Sequence, residues 1–290
     1  FVSSNDDVVR EDDDDDDVRD DVDPRKKSVR NLTQLLQYAA TVAADQGKDF
    51  VQWEVVQLSC TTLVRLIHAD RGFAKKSLRG GDAFQDNDAT KSLVAALVRL
   101  VEEDDAEDRS KAVAAKVLAE LCASSERHKS RIAATGVSTT LVDLLREQKT
   151  PSMFHRREHL ALLARLATLE KNLDPIYDAG AVDVLAPFVE HSQYNETDRD
   201  AMQILFDLAQ RYPHYNADVA NRPGVIDGLG RLAGVIGTKG ADDPDNKKLA
   251  NRLLAVLGAG TTTTGPPGLG PRGKNGDHPP GGGGGGGGGG

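Results

Sequence analysis

The chain has 290 residues, of which 39% are hydrophobic and only 4% aromatic, a composition that suits aliphatic helix packing better than a sheet core. No apolar run reaches the roughly 18 residues that cross a bilayer, so we expect no membrane segment and no membrane partner. Two cysteines, Cys60 and Cys122, have the wrong spacing for a zinc knuckle or a disulfide framework. They predict reduced core thiols in a cytoplasmic or nuclear protein.

The negative charge of the chain is concentrated at its N-terminus. The net charge is −9 overall, whereas residues 1–24, which contain "EDDDDDDVRDDVD", carry −10 by themselves and leave +1 for the rest. A run of this kind repels itself and cannot bury enough surface to fold. Residues 1–27 are therefore predicted to be a disordered acidic tail that contacts a basic partner or the folded region. The near-neutral remainder argues against nucleic-acid binding.

The first predicted helices come directly after this tail. A medium helix begins in the pattern "LTQLLQYAA" at Leu32, and a long helix covers the region around 51–68. Residues 71–90, "RGFAKKSLRGGDAFQDNDAT", are rich in Gly and Asp and add 21 residues to the spacing found farther along the chain. We interpret them as an insertion loop between two repeats, of a kind that costs little stability.

Four apolar stretches then recur at intervals of 44 residues. They read "SLVAALVRLVEE" from Ser92, "GVSTTLVDLLRE" from Gly136, "GAVDVLAPFVEH" from Gly180 and "GVIDGLGRLAGV" from Gly224. Within each stretch the apolar residues are spaced i, i+4, i+7, i+8, which is the buried stripe of an amphipathic helix. Four copies in one register indicate an internal repeat. The column that opens each stripe is Leu97, Leu141, Leu185 and Leu229.

A long helix and a short helix precede each of the later glycines. The long helices begin near Arg109, Arg156 and Asp198, and the short polar pieces include "ERHKSRIAATG" and "NLDPIYDAG". Glycine suits the junction before the medium helix because it adopts positive φ without a Cβ clash. Each unit is therefore predicted to contain, in order, a long helix, a short helix, a glycine and a medium helix.

This layout resembles the armadillo repeat in the stretches "IYDAGAVDVLAPFV" and "AAKVLAELCASSERHKSRIAATGV". The related HEAT repeat has a similar period. The resemblance covers residues 28–258 and implies an all-α fold, a right-handed α-solenoid of about four to five three-helix repeats. Residues 259–290, which are rich in Gly and Pro and end in ten glycines, are predicted to be a second disordered tail.

One motif is compatible with catalysis. "HRREH", from His155 to His159, matches the H-x-x-E-H pattern of inverted zinc proteases, with two histidines one helical turn apart and Glu158 to activate water. His159, however, falls in the apolar column that holds Ala114 and Ala201 in neighbouring copies. No phosphate-binding loop, dinucleotide fingerprint or nucleophile elbow is present in the sequence. We therefore expect no enzymatic activity, no metal and no cofactor.

The resemblance also implies a binding surface. In armadillo proteins the long helices line a concave groove, and the groove-facing positions lie two residues before and after the penultimate apolar Leu. Import adaptors of this family carry Trp and Asn at these positions, and this chain carries neither, which disfavours binding of an import signal. The nine mapped partner-binding positions are Thr61, Arg65, Lys116, Glu120, Ala161, Arg165, Gln203, Asp207 and Arg252, and Val256 is the position that would pair with Arg252.

Two functions follow from this sequence. The first is a non-enzymatic protein–protein interaction scaffold that holds an extended peptide or a folded domain in the groove. The second is an armadillo-type co-chaperone, a nucleotide-exchange factor for the major heat-shock chaperone, which is similar in size and layout but not in any residue motif.

Overall fold

The computed structural model describes residues 24–47, 49, 51–76, 88–147, 153–192, 196–234 and 243–258. The predicted tail of residues 259–290 lies outside these ranges, as does almost all of the predicted acidic tail. The expectation that the acidic residues contact a partner or the folded region therefore stays a prediction.

The described part of the chain is built from α-helices, with a 3₁₀ turn at Glu170–Asn172. In chain order the helices are α1 Pro24–Gln46, α2 Trp53–Lys76, α3 Asp88–Glu102, α4 Asp108–Ser124, α5 Glu126–Ala133, α6 Val137–Glu147, α7 Met153–Ala167, α8 Leu173–Asp178, α9 Ala181–Glu190, α10 Glu196–Arg211, α11 Tyr215–Asn221, α12 Val225–Leu232 and α13 Pro244–Val256.

These helices stack as a one-dimensional series of units. The long helices α2, α4, α7, α10 and α13 pack on one another in chain order, and the medium helices α1, α3, α6, α9 and α12 form a parallel series beside them. The short helices α5, α8 and α11 complete the last three units. Because each unit contacts its neighbours in this order, the fold is the predicted α-solenoid.

The predicted leucine column forms the centre of this stack. Leu97, Leu141, Leu185 and Leu229 are each 0% exposed. The glycines before three of the medium helices also behave as expected, since Gly136, Gly180 and Gly224 have φ values of +83°, +79° and +76°. A left-handed residue at a fixed interval turns the chain from each short helix into the next medium helix.

The helices extend beyond two of the predicted boundaries. Helix α1 begins at Pro24 rather than at residue 28, because proline lacks the N–H that a first helical turn leaves unbonded and has its φ already fixed. The predicted insertion loop 71–90 is helical at both ends, since α2 continues to Lys76 and α3 starts at Asp88. Ala74, Lys75 and Lys76 are good helix formers and offset the cost of Gly72. Residues 77–87 lie outside the described ranges.

Both cysteines are buried between the helices, as predicted. Cys60 is 0% and Cys122 2% exposed, and neither forms a disulfide. Burial raises the pKa of each thiol to about 12, which leaves both as inert packing groups. Among the described helices, none is both long enough and apolar enough to cross a bilayer.

The packing of neighbouring medium helices leaves no room for a side chain at Gly228. A Cβ at this position would lie 2.4 Å from the carbonyl oxygen of Val189 in the preceding medium helix. A backbone carbonyl cannot move aside cheaply, so Gly228→Ala is expected to lower the free energy of unfolding by about 2 kcal/mol in urea titration. Gly136→Ala is the control, because its Cβ would have no atom within 4 Å and the left-handed conformation alone should cost about 1 kcal/mol. An equal loss in the two variants would contradict close contact at Gly228.

Candidate functional site

The stacked long helices carry two adjoining cavities, which together we call the groove. The first has a volume of about 550 Å³ and the second of about 590 Å³, and Thr168 lines both of them. The Thr168 hydroxyl donates a hydrogen bond of 2.8 Å to the carbonyl oxygen of Arg165, at the last turn of α7. The two cavities therefore form one surface that runs across successive long helices.

Six of the nine predicted binding residues line this surface. Lys116, Glu120, Ala161 and Arg165 line the first cavity, and Gln203 and Asp207 line the second. The other three, Thr61, Arg65 and Arg252, are exposed on long helices but line neither cavity.

Contacts between neighbouring long helices hold several of the polar side chains in the first cavity. The Lys116 ammonium lies 3.3 Å from the carboxylate of Glu158 and joins α4 to α7. Nε2 of His68 lies 3.0 Å from the Glu120 carboxylate and joins α2 to α4. The Glu158 side chain is only 8% exposed, so its charge is balanced within the protein and is not offered to a ligand.

Arg165 is the exception in this cavity. It is partly buried, and it forms no ion pair with any residue that the structure describes. The cavity around it is also lined by Ala119, Ala161 and Ala164, whose small side chains leave room beside the guanidinium. The first cavity thus places a cation that forms no ion pair among the described residues beside three alanines, within a lining that also includes the carboxylates of Glu120 and Asp200.

The second cavity contains a carboxylate with altered acidity. Burial raises the pKa of Asp207 to about 6, although the hydrogen bond from Gln203 and the charge of Arg252 both act to lower it. The Gln203 amide donates to this carboxylate at 2.8 Å. The Arg252 guanidinium lies over the Phe206 ring at 4.4 Å, a cation–π contact that holds α13 against α10. Asp207 is therefore charged at neutral pH and loses that charge in mild acid.

The residues of the HRREH motif serve packing and charge pairing. His159 is 0% exposed, as are Ala114 and Ala201 in the equivalent column. Burial, with a smaller contribution from His155 and Lys111, lowers the pKa of His159 to about 4. Glu158 pairs with Lys116, as described above. Within the described ranges no three metal-binding side chains come together.

Sequence reasoning missed several residues of the groove. Ala119, Ala164 and Thr168 each lie three residues after a predicted binding position, on the same helix face, and they form part of the lining. They could have been predicted by adding to each mapped position the residue three places farther along the same helix. The charged side chains of Arg157, Arg199 and Asp200 also line the first cavity and were not predicted. Sequence reasoning also missed the pairing of Lys116 with Glu158, since a contact between helices 42 residues apart has no local signature.

Comparisons with known proteins support the fold and not a particular function. No protein-family model matches the chain, and no curated protein matches it. Among solved structures, an engineered protein is 20% identical over 83% of this chain and 94% of its own, with a TM-score of 0.53. A designed armadillo repeat protein is 18% identical over 80% of this chain and 92% of its own, also with a TM-score of 0.53.

A second designed armadillo repeat protein was solved in complex with the peptide (KR)4. It is 16% identical over 82% of this chain and 95% of its own, with a TM-score of 0.52. Identities this low establish common architecture alone. These structural similarities agree with the 44-residue helical units and with the ordered stacking of the long helices. This chain has an armadillo-like repeat fold.

Proposed function

We propose that the chain is a non-catalytic interaction scaffold that binds an extended peptide along the groove. The observation that carries this function is that six of the nine mapped positions line two adjoining cavities on successive long helices. An extended peptide places alternate side chains on the surface beneath it, and neighbouring cavities suit that arrangement. One protein of the same architecture was solved with a bound peptide, which supports this mode of binding.

The pairing of charges in the groove favours an acidic peptide. The mapped residues that line the two cavities include two cations, Lys116 and Arg165, and two anions, Glu120 and Asp207. Glu120 already lies beside His68, and Lys116 beside Glu158, whereas Arg165 has no such ion pair among the described residues. A peptide carboxylate that meets Arg165 gains a charge-assisted hydrogen bond in a partly buried site. The neighbouring alanines accept a small side chain next to that carboxylate.

Peptide binding is tested with two labelled probes, a peptide of four Asp-Glu pairs and the (KR)4 peptide. We expect fluorescence anisotropy to show tighter binding of the acidic peptide, with an affinity that falls as salt is added. Arg165→Glu should weaken acidic-peptide binding by more than an order of magnitude, since it replaces the attraction with repulsion. Arg99→Glu makes the same charge change on exposed surface of α3 outside the groove and should bind as the unaltered chain does.

Tighter binding of the (KR)4 peptide, or equal binding by the two variants, would contradict an acidic ligand in this groove. The co-chaperone alternative keeps only its original support, the size and layout of the chain, and no described residue adds to it. Specific capture of the heat-shock chaperone from cell extract, unaffected by Arg165→Glu, would favour that alternative instead.

A further inference from the structure

A separate cavity of about 500 Å³, which we call the side cavity, opens among four helices of two neighbouring units. The medium helices α6 and α9 and the N-terminal ends of the long helices α7 and α10 supply its lining. Among the described residues, it shares none of this lining with the two cavities of the groove. Small-molecule sites typically have volumes of about 300–1,000 Å³. One isolated cavity of this size suits a compact ligand, whereas an extended peptide needs a row of cavities.

Two arginines border the apolar part of the side cavity. That apolar part consists of Leu145, Val184, Pro187 and Phe188. The guanidinium carbon of Arg156 lies 5.7 Å from the centroid of the Phe188 ring, a cation–π contact that holds this cation against the apolar lining. Arg146 instead donates hydrogen bonds to the Asp143 carboxylate and to the carbonyl oxygen of Ala179. Arg156 is therefore the cation that is placed to meet a ligand.

The two carboxylates that line the side cavity are engaged by other residues. The Asp183 carboxylate lies 2.6 Å from a guanidinium nitrogen of Arg222, and the Asp198 carboxylate accepts a hydrogen bond of 2.7 Å from the Ser192 hydroxyl. Arg156 forms no ion pair with any residue that the structure describes. The side cavity therefore has a positive charge available to an anionic ligand, next to an apolar surface.

The stacking of the helices does not account for these residues. The preceding unit has an acidic or polar residue at each of four lining positions. At the interval of 44 residues, Arg146, Val184, Pro187 and His191 correspond to Glu102, Thr140, Asp143 and Glu147. Both units keep the buried leucine column, at Leu141 and Leu185, so the fold accepts either set. The apolar and cationic lining is therefore particular to this unit, which favours a role in binding.

We propose that the side cavity binds a small aromatic carboxylate, with the ring of the ligand on the apolar lining and its carboxylate against Arg156. The guanidinium donates charge-assisted hydrogen bonds to both carboxylate oxygens. A planar ring suits the lining because it packs against the face or edge of Phe188. This site is separate from the peptide groove and does not rest on the proposed function.

Isothermal titration calorimetry of the full chain with cinnamate and with cinnamamide, its neutral counterpart, tests this site. We expect cinnamate to bind about tenfold more tightly than cinnamamide, with an affinity that falls as salt is added. Arg156→Gln should weaken cinnamate binding by about tenfold and leave the helical circular dichroism unchanged, because this half-buried side chain forms no ion pair among the described residues. Arg157→Gln is the matched control and should bind cinnamate as the unaltered chain does, since the adjacent arginine lines the first cavity of the groove instead.

Pro187→Asp tests the apolar part of the lining. The preceding unit has an aspartate at this exposed position, so the helix accepts the change, and a carboxylate there should weaken cinnamate binding by more than an order of magnitude. Arg165→Glu, which alters the groove, should leave cinnamate binding unchanged. Equal binding of cinnamate and cinnamamide, unchanged binding in Arg156→Gln, or no binding of cinnamate at millimolar concentration would overturn the site. Loss of cinnamate binding in Arg165→Glu would place the ligand in the groove and overturn it as well.

Discussion

Leu185→Ala is expected to lower the free energy of unfolding by about 3 kcal/mol. Leu185 is 0% exposed at the centre of the leucine column, between the medium helices on either side of it. Truncating a fully buried leucine removes its transfer free energy and leaves a cavity, a combination that typically costs about 2–5 kcal/mol. In a stack of units each residue of the column supports two interfaces, so the neighbouring units cannot fill the space without separating.

Val184→Ala is the matched control for this effect. Val184 precedes Leu185 on the same helix and is partly exposed, so its truncation should cost less than about 1 kcal/mol. Urea titration followed by circular dichroism measures both variants under one set of conditions. If both variants lost the same stability, the 44-residue leucine column would not be the core of the fold.

A fall in stability is expected as the pH decreases from about 6.5 toward 4, and much of it should come from His159. Burial lowers the pKa of His159 from 6.5 to about 4, so the unfolded chain binds a proton in this interval that the folded chain does not. The free energy of unfolding therefore rises with pH across the interval, and acid removes stability. A shift of this size corresponds to a contribution of about 3 kcal/mol.

His159→Ala separates this contribution from those of other titrating groups. Alanine already occupies the same column at Ala114 and Ala201, so the helix accepts it. The variant should lose less stability than the unaltered chain between pH 7 and pH 4.5, as measured by urea titration at each pH. Asp207 acts with the opposite sign, because its raised pKa contributes stability that is lost as the pH rises through about 6. Equal losses in the two proteins would show that His159 is not held neutral by burial.

The repeat could be predicted from the sequence because helix periodicity and glycine conformation are local properties. The spacing of Leu141 and Leu185 defines a buried stripe, and Gly180 provides the positive φ that the junction requires. Neither depends on how distant units pack. The location of six mapped residues beside the two cavities follows for a related reason, since each lies at a fixed offset from the buried leucine of its own helix.

The features that escaped prediction depend on contacts between units. The exposure of Tyr38 and Leu58 follows from what lies beside α1 and α2, and a leucine at helical spacing looks the same whether it is covered or exposed. The stacking of Tyr177 on Tyr215, with ring centroids 3.6 Å apart, joins α8 to α11 across 38 residues and has no local signature. The pKa of Asp207 likewise reflects its surroundings rather than its neighbours in sequence.

The most direct test of the groove is a map of where a peptide lies. An acidic peptide that carries a photoreactive benzophenone is irradiated in complex with the full chain, and the crosslinked residues are identified by mass spectrometry. We predict crosslinks in α4, α7 and α10, at or next to Ala161, Arg165 and Gln203. Crosslinks confined to the medium helices α1, α6 and α9, none of whose residues line the two cavities, would contradict the assignment of the groove as the peptide-binding site.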